Sequence, residues 1–239
     1  MDHFLRILNI GNTHVQVFDS PRSGSFVPGE RFPTASFDPQ TQVQYLPALA
    51  VSSVVPAFTG QFQQLGAFIV SGKMNLPFEP SGLDFSTVGA DRLANAAALL
   101  DGPLPALSID FGTAITFEYV TKDRQFAGGA ILPGRMLLRQ ALYDHTAQLP
   151  LLPLYDAVPP LPGQNTVDAM RIGTDGAAVG AVRSLVGQWK KVCAPESLRI
   201  VACGGDRAFF LNHLEGVTDG GDYFTVSGIR RLWEFHHAG

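Results

Sequence analysis

A nine-residue pattern that occurs twice, about 100 positions apart, restricts the fold of this 239-residue chain more than any other feature. Ile7-Leu8-Asn9-Ile10-Gly11-Asn12-Thr13-His14-Val15 returns in outline as Ser108-Ile109-Asp110-Phe111-Gly112-Thr113-Ala114-Ile115-Thr116. Each copy runs an apolar strand into a polar residue two positions before a glycine. Small hydroxyl or amide residues follow, and then a second β-rich stretch, Val15-Gln16-Val17-Phe18 or Thr116-Phe117-Glu118-Tyr119-Val120. Such a pattern predicts a β-hairpin with glycine at a tight turn. One structural unit is therefore present twice, and the boundary between its copies is expected near Gly102 to Pro105.

The intervening segments fit an α/β duplication. A loop-rich stretch is expected from Pro21 to Pro39, a strand from Ala48 to Val55, and an Ala- and Leu-rich helix from Asp91 to Leu100. After the second copy come helices over Arg135–Tyr143 and Thr166–Trp189, separated by a proline-rich span from Pro150 to Pro162 that reads as a linker or ordered loop. Leu198-Arg199-Ile200-Val201-Ala202-Cys203 is a strand ending at Gly204-Gly205. With 46% apolar residues the chain can bury a large core. A net charge of −4 and the absence of Lys/Arg runs argue against a nucleic-acid partner. Cys193 and Cys203 form neither a disulfide framework nor a zinc signature. No signal peptide or membrane-length apolar run is seen, so a cytoplasmic protein is expected.

A glycine-tight turn between two strands exposes several backbone N–H groups on one concave side, and such nests bind phosphate oxygens without a basic side chain. Gly11 and Gly112 supply this in the two copies. If the copies face each other, the turns grip one polyphosphate from opposite sides, with Thr13, Thr113 and Thr116 adding hydroxyls. A third turn, Gly204-Gly205, leads from a buried strand into Ala208-Phe209-Phe210-Leu211, and paired glycines let a flat ring lie against backbone. Gly89-Ala90-Asp91-Arg92 opens the Ala-rich helix. There Asp91 suits a base or orienter for a hydroxyl and Arg92 an anion, although an Asp at a helix start also satisfies the helix dipole, with Arg as a surface partner. Gly72-Lys73 lacks the preceding glycine of a P-loop.

Asn9–Thr13, Gly89–Arg92, Asp110–Thr116, Gly128-Gly129-Ala130-Ile131-Leu132-Pro133-Gly134 and Thr166-Val167-Asp168-Ala169-Met170 together resemble the type III pantothenate kinases, in the family's order and across nearly the whole chain. The resemblance implies a duplicated ribonuclease H-like (actin-like) α/β fold, with domains at 1–104 and 105–239 and a nucleotide cleft between them. It implies ATP-dependent phosphorylation of pantothenate, the first step toward coenzyme A, by a homodimer using Mg²⁺ and K⁺ or NH₄⁺. Carried over by position, Asn9, Ile10, Gly11, Asn12, Thr13, His14, Val15 and Gln16 form the first ATP-phosphate segment. Thr113, Gly204 and Gly205 are further ATP contacts. Gly89, Ala90, Asp91 and Arg92 bind pantothenate, with Asp91 as proton acceptor; Asp110 holds the monovalent cation, and Thr166 contacts substrate. The chain departs from the family in three places. Asn9 replaces an aspartate. No tyrosine stands about seven residues before Gly89, Phe85 being the nearest aromatic. The proline-rich span after Gln148 has no assigned counterpart. Two alternatives follow from these departures: a catalytically impaired nucleotide-binding or regulatory relative, and an actin-like kinase for another small acceptor.

Overall fold

The computed structural model describes residues 5–21, 25–43 and 48–238. Phe4, and the part of the Pro21–Pro39 stretch at 22–24, lie outside the described residues.

Both copies of the repeat are hairpins, and each nucleates its own sheet. In the first, β1 (Leu5–Ile10) pairs antiparallel with β2 (His14–Ser20), which pairs with β3 (Val27–Pro33). A short helix α1 (Pro39–Gln42) follows, and then β4 (Ala48–Ser53) lies parallel to β1. Helix α2 (Pro56–Gln64) leads to β5 (Phe68–Ile69), giving the strand order β3-β2-β1-β4-β5. Helix α3 (Ala90–Leu99) leads into the second sheet. There β6 (Ala106–Phe111), β7 (Ala114–Val120) and β8 (Phe126–Pro133) repeat the antiparallel meander. Helices α4 (Arg135–His145) and α5 (Thr166–Cys193) then cross to β9 (Arg199–Cys203), parallel to β6. Helix α6 (Arg207–Leu211), β10 (Thr218–Asp219) and α7 (Phe224–His237) complete the chain, with order β10-β9-β6-β7-β8. The two sheets are the same meander plus parallel strands, the duplicated ribonuclease H-like architecture.

Several elements lie outside the sequence expectation. The stretch read as loop from Pro21 to Pro39 contains β3, an edge strand whose residues are almost all exposed, so it carries no apolar alternation to reveal it. The Gly128–Gly134 segment lies mostly within β8, and α5 runs on to Cys193, beyond the expected Trp189.

Pleating decides what each strand shows to which core. Leu5 and Ile7 join a core shared with α3 and α7, whereas Leu8 and Ile10 face a separate core containing Phe62 of α2. Asn9 therefore points to the same side as Ile7. In β6, Leu107, Ile109 and Phe111 pack with Val179 and Val182 of α5, while Ala106 joins the α3 and α7 core. Ser108 and Asp110 share the Ala106 face. The shared core draws on both sheets, with α3 and α7 in contact with each other inside it.

Small residues make this layer possible. Helix α3 reads ADRLANAAAL, and a Cβ on Gly228 of α7 would overlap the Ala94 carbonyl oxygen. Gly228→Ala is predicted to cost about 1–3 kcal/mol by overpacking, a fall in melting temperature of roughly 2–12 °C for a chain of this size. Gly180→Ala, at a helical position with nothing within 4 Å of the added carbon, should instead stabilise by about 0.5–1 kcal/mol. Thermal melts of both variants check the pair; equal melting temperatures would refute the close α3–α7 contact.

Candidate active site

The two hairpin turns meet. Thr13 Oγ1 and Thr113 Oγ1 lie 2.8 Å apart although 100 residues separate them in sequence. The first turn closes with Gly11 N–H donating to the His14 carbonyl at 2.9 Å. It is braced by the 3-10 turn Thr34–Ser36, whose Thr34 donates its hydroxyl to the Gly11 carbonyl at 2.8 Å and its N–H to the Thr13 carbonyl at 2.9 Å. The second turn is one residue shorter between its paired strands, Phe111 facing Ile115 where Ile10 faces Val15. It is held by Gly134, whose N–H donates to the Thr113 carbonyl at 3.0 Å. A side chain at Gly134 would overlap the Gly112 and Thr113 carbonyls, so the β8–α4 junction requires glycine.

Below the turns the cross-strand pairs place polar groups on the inner faces, since directly opposed residues share a face. Asn9 lies between Gln16 on β2 and Ser52 on β4. Ser52 is buried, and its hydroxyl has no hydrogen-bond partner among the described residues, an unmet polar group that a bound oxygen-rich ligand would satisfy. Asp110 lies between Thr116 on β7 and Cys203 on β9. Ile10 and Val15 bury their side chains on the opposite side, in the core that contains Phe62, and so anchor the first turn. Asn12 and Thr13 are exposed at the tip. His14 Nδ1 sits 3.1 Å from Arg31, and burial, followed by that charge, holds its imidazole below the ordinary value.

Helix α3 delivers the remaining chemistry. Gly89 is its N-cap, Ala90 is buried, and the Asp91 carboxylate folds back to accept from the Arg92 N–H at 2.8 Å. A Cβ at Gly89 would lie 2.7 Å from Asp91 Oδ1, so the glycine gives that carboxylate its room. Burial raises the Asp91 pKa, opposed by the Arg92 amide and charge. One turn on, fully buried Asn95 donates to Asp110 Oδ2 at 3.0 Å and accepts from Thr225 of α7 at 2.7 Å. Burial pushes the Asp110 carboxyl up to about 6, with the Asp91 charge adding to the rise and Asn95 opposing it.

Arg92 reaches the second sheet, where Nε donates to Glu118 Oε1 at 3.0 Å; Glu118 also accepts from Ser108 at 2.9 Å and has no exposure. Burial pushes this carboxyl up to about 8 against the pull of Arg92. Arg92 is therefore tied to a buried partner while keeping partial exposure of its own side chain.

The third turn closes over Asp110. Gly204 has φ +90°, and a Cβ there would overlap Asp110 Oδ1 and come 2.6 Å from Phe111 N, so only glycine fits. Gly205 is exposed with open space around it. Thr166 lies apart, exposed at the first position of α5, which packs on the outer face of the second sheet while α3 lies on the inner face.

The structure thus gathers Asn9, the two threonine turns, Asp91, Arg92, Asp110 and Gly204 around one layer. Sequence reading missed Asn95, Glu118 and Ser52. Asn95 and Glu118 carry a visible signal, a polar residue within an otherwise Ala- and Leu-rich helix and a charge within an apolar strand; Ser52 carries none. Among the described residues no group of three or more His, Cys, Asp or Glu side chains forms a metal cluster. The oxygen donors present, the Asn9 amide with the Ser52 hydroxyl in the first sheet and the Asp110 carboxylate in the second, are of the kind that hard cations take, with substrate oxygens and water completing the shell.

Comparison with known proteins places the fold and the family. Among solved structures, a conserved Baf family protein from Campylobacter jejuni superposes with a TM-score of 0.66 at 16% identity over 98% of this chain and 100% of that one. The activator of the 2-hydroxyisocaproyl-CoA dehydratase from Clostridium difficile, solved with bound ADPNP, gives 0.54 at 10% identity over 98% and 94%. At these identities they show the fold alone. In sequence, the type III pantothenate kinase of an Exiguobacterium species is 35% identical over 195 residues, covering 77% of this chain and 74% of the relative. The enzyme of that name from Rubrobacter xylanophilus is 39% identical over 170 residues, 66% and 64% of the two chains. The family model described as type III pantothenate kinase matches residues 7–188. The chain belongs to the type III pantothenate kinase family.

Proposed function

We propose that the protein transfers the γ-phosphoryl group of ATP to the hydroxyl of pantothenate, giving 4'-phosphopantothenate and ADP, the first step toward coenzyme A. The observation that carries this reading is the meeting of Thr13 and Thr113 beside Asp91 and Asp110. Two opposed turns offer N–H and hydroxyl donors to the polyphosphate from both sides, and the open face of Gly205 leaves room for the adenosine. The division into 1–104 and 105–239 is supported by each sheet drawing its strands from one side of residue 104; α7 returns across it to pack on α3.

The acceptor hydroxyl lies against Asp91 in this reading. An alcohol is a far weaker acid than a carboxylic acid, so Asp91 first orients the hydroxyl and takes its proton late, as the oxygen–phosphorus bond forms and the bond to ADP breaks. Its raised pKa brings the carboxylate closer to the pH at which such a base works. Arg92, fixed by Glu118, presents its remaining donors to the acceptor's anionic group, and Gly89 and Ala90 set the backbone beside it. Asn9 would face Mg²⁺ and Asp110 a monovalent cation such as K⁺ or NH₄⁺; when bound, these cations offset charge on the phosphoryl oxygens.

The protein would act as a homodimer. Edge strand β8 exposes Ile131 at 61%, and α4 exposes Met136 and Tyr143 seven residues apart on one face, with Leu137 beside them; a second copy is the fitting cover for such a surface. We assign Thr166 to the acceptor site through that assembly. Among the described residues no helix is long and apolar enough to cross a membrane, and a cytoplasmic location fits the proposed reaction.

Release of ADP in the presence of ATP, Mg²⁺, K⁺ and pantothenate tests the activity directly; no turnover with pantothenate at saturating cations would refute it. Asp91→Asn should lower kcat by about 10²- to 10⁴-fold with little effect on ATP binding, and a near-normal rate removes Asp91 from the chemistry.

Both Asp91 and Asp110 act as anions here, and both are raised. The rate should therefore be lost as pH falls through the value of about 6 for Asp110, with kcat/KM dropping roughly tenfold per unit below it and more steeply where Asp91 is protonated as well. A profile flat to pH 5 would show that Asp110 does not titrate in the free enzyme as the reading requires.

Asn9 offers a neutral carbonyl oxygen where an aspartate offers an anionic one, which weakens metal attraction without changing the shape of the turn. Asn9→Asp should lower the Mg²⁺ concentration for half-maximal rate and raise turnover at limiting metal. If it changes neither, Asn9 does not face the metal.

A further inference from the structure

On the outer side of the second sheet lies a cluster of charges for which phosphoryl transfer has no direct use. Arg135 and Arg139, one turn apart on α4, are 2% and 0% exposed, and Asp175 of α5 between them is 0% exposed. Arg135 Nε and Nη2 donate to the two Asp175 oxygens at 3.0 and 3.2 Å, and Arg139 Nη2 donates to both at 2.8 Å. One carboxylate thus serves two guanidinium groups. The second negative charge is Asp206, whose Oδ1 accepts from Arg135 Nη1 at 2.8 Å. An uncompensated charge in the interior is strongly disfavoured, so the two cations draw Asp206 inward.

Asp206 immediately follows Gly204-Gly205. Its own N–H donates to the Phe111 carbonyl at 2.9 Å, and the Arg135 guanidinium also lies 3.4 Å from the centre of the Phe209 ring on α6. The third turn is therefore gripped twice, by backbone from β6 and by charge from Arg135. The same guanidiniums fasten the proline-rich span. Arg135 donates to the Tyr155 carbonyl at 2.5 Å and Arg139 to that of Pro153. Arg171 donates to Ala157 at 2.9 Å with its guanidinium 4.2 Å from the Tyr155 ring centre. The span closes over the cluster and keeps water from it, which strengthens each charge contact.

The geometry points to Arg135, backed by Arg139 and Asp175, as a positioning residue for the nucleotide: through Asp206 it holds the Gly204-Gly205 turn in the shape that receives the adenosine part of ATP. This rests on the reading of that turn as the adenosine seat. The cluster touches neither the phosphates nor pantothenate in this assignment, so its effect is confined to nucleotide affinity.

Steady-state kinetics and thermal melts of three variants test it. Asp206→Asn strands one guanidinium charge, and should lower the melting temperature and raise the KM for ATP about tenfold to a hundredfold, with little change in the KM for pantothenate. The double variant Arg135→Met/Asp206→Asn leaves Arg139 balanced by Asp175; it should recover the melting temperature while the KM for ATP stays raised, because nothing holds the turn. If the KM for ATP returns together with the melting temperature, or moves no more than the KM for pantothenate in Asp206→Asn, the cluster is a structural element only and the proposal is overturned. Gly205→Ala, which adds a methyl group where the protein leaves open space, examines the seat itself. A raised KM for ATP there with an unchanged one in Asp206→Asn removes the latch and keeps the seat; an unchanged one in Gly205→Ala removes the seat and the latch with it.

Discussion

Everything at the site depends on α3 being held between two sheets. The helix is narrow because eight of its ten residues are buried and most of those are Ala, and α7 closes against it through Gly228. Its three polar residues each take a different task. Asp91 stays near the surface of the layer, Arg92 crosses to Glu118, and Asn95 bridges Asp110 and Thr225. Hydrogen bonds to charged groups are worth about 1.5–3 kcal/mol each. Breaking a buried ion pair such as Arg92–Glu118 by removing one partner costs about 3–5 kcal/mol. These contacts register the helix against the second sheet, and so place Asp91 relative to Asp110.

That registration has an electrostatic consequence. Three carboxyls, Asp91, Asp110 and Glu118, lie within one buried layer, each raised chiefly by burial. Their partners are a guanidinium, an amide and hydroxyls, too few for all three to ionise freely in low dielectric, which is why each is raised. An anion-binding site built from backbone turns would repel this layer of carboxylates unless cations intervene. The cations of the proposed function would lie between this acidic floor and the substrate, where they offset that repulsion.

A second buried cluster works on the other side of the second sheet with the opposite balance, two guanidiniums searching for carboxylates. The two clusters meet at the third turn. Gly204 presses on Asp110 from one, and Asp206 reaches Arg135 of the other. This three-residue segment is held by the Asp206 N–H on the Phe111 carbonyl and by the Arg135 charge on the Asp206 carboxylate, with Gly204 leaving Asp110 its room.

The sequence alone determined the repeat, the hairpins, the α/β duplication and the residues of the turns, because these depend on local patterns: apolar strands, a glycine, a hydroxyl. It also showed Asp91 and Arg92, since their place at a helix start is a local fact. It did not reveal β3, whose exposed edge leaves no alternation, nor the strapping of Pro150–Pro162, whose anchors Arg135, Arg139 and Arg171 lie elsewhere in the chain. The tertiary structure alone decided that Thr13 meets Thr113, that Glu118 takes Arg92, that Asn95 serves Asp110 and that Asp206 turns toward Arg135. Each of these is a pairing across the fold, and the preference of a buried polar group for a partner is set by the dielectric around it and by what the packing brings within reach, neither of which is written in neighbouring residues.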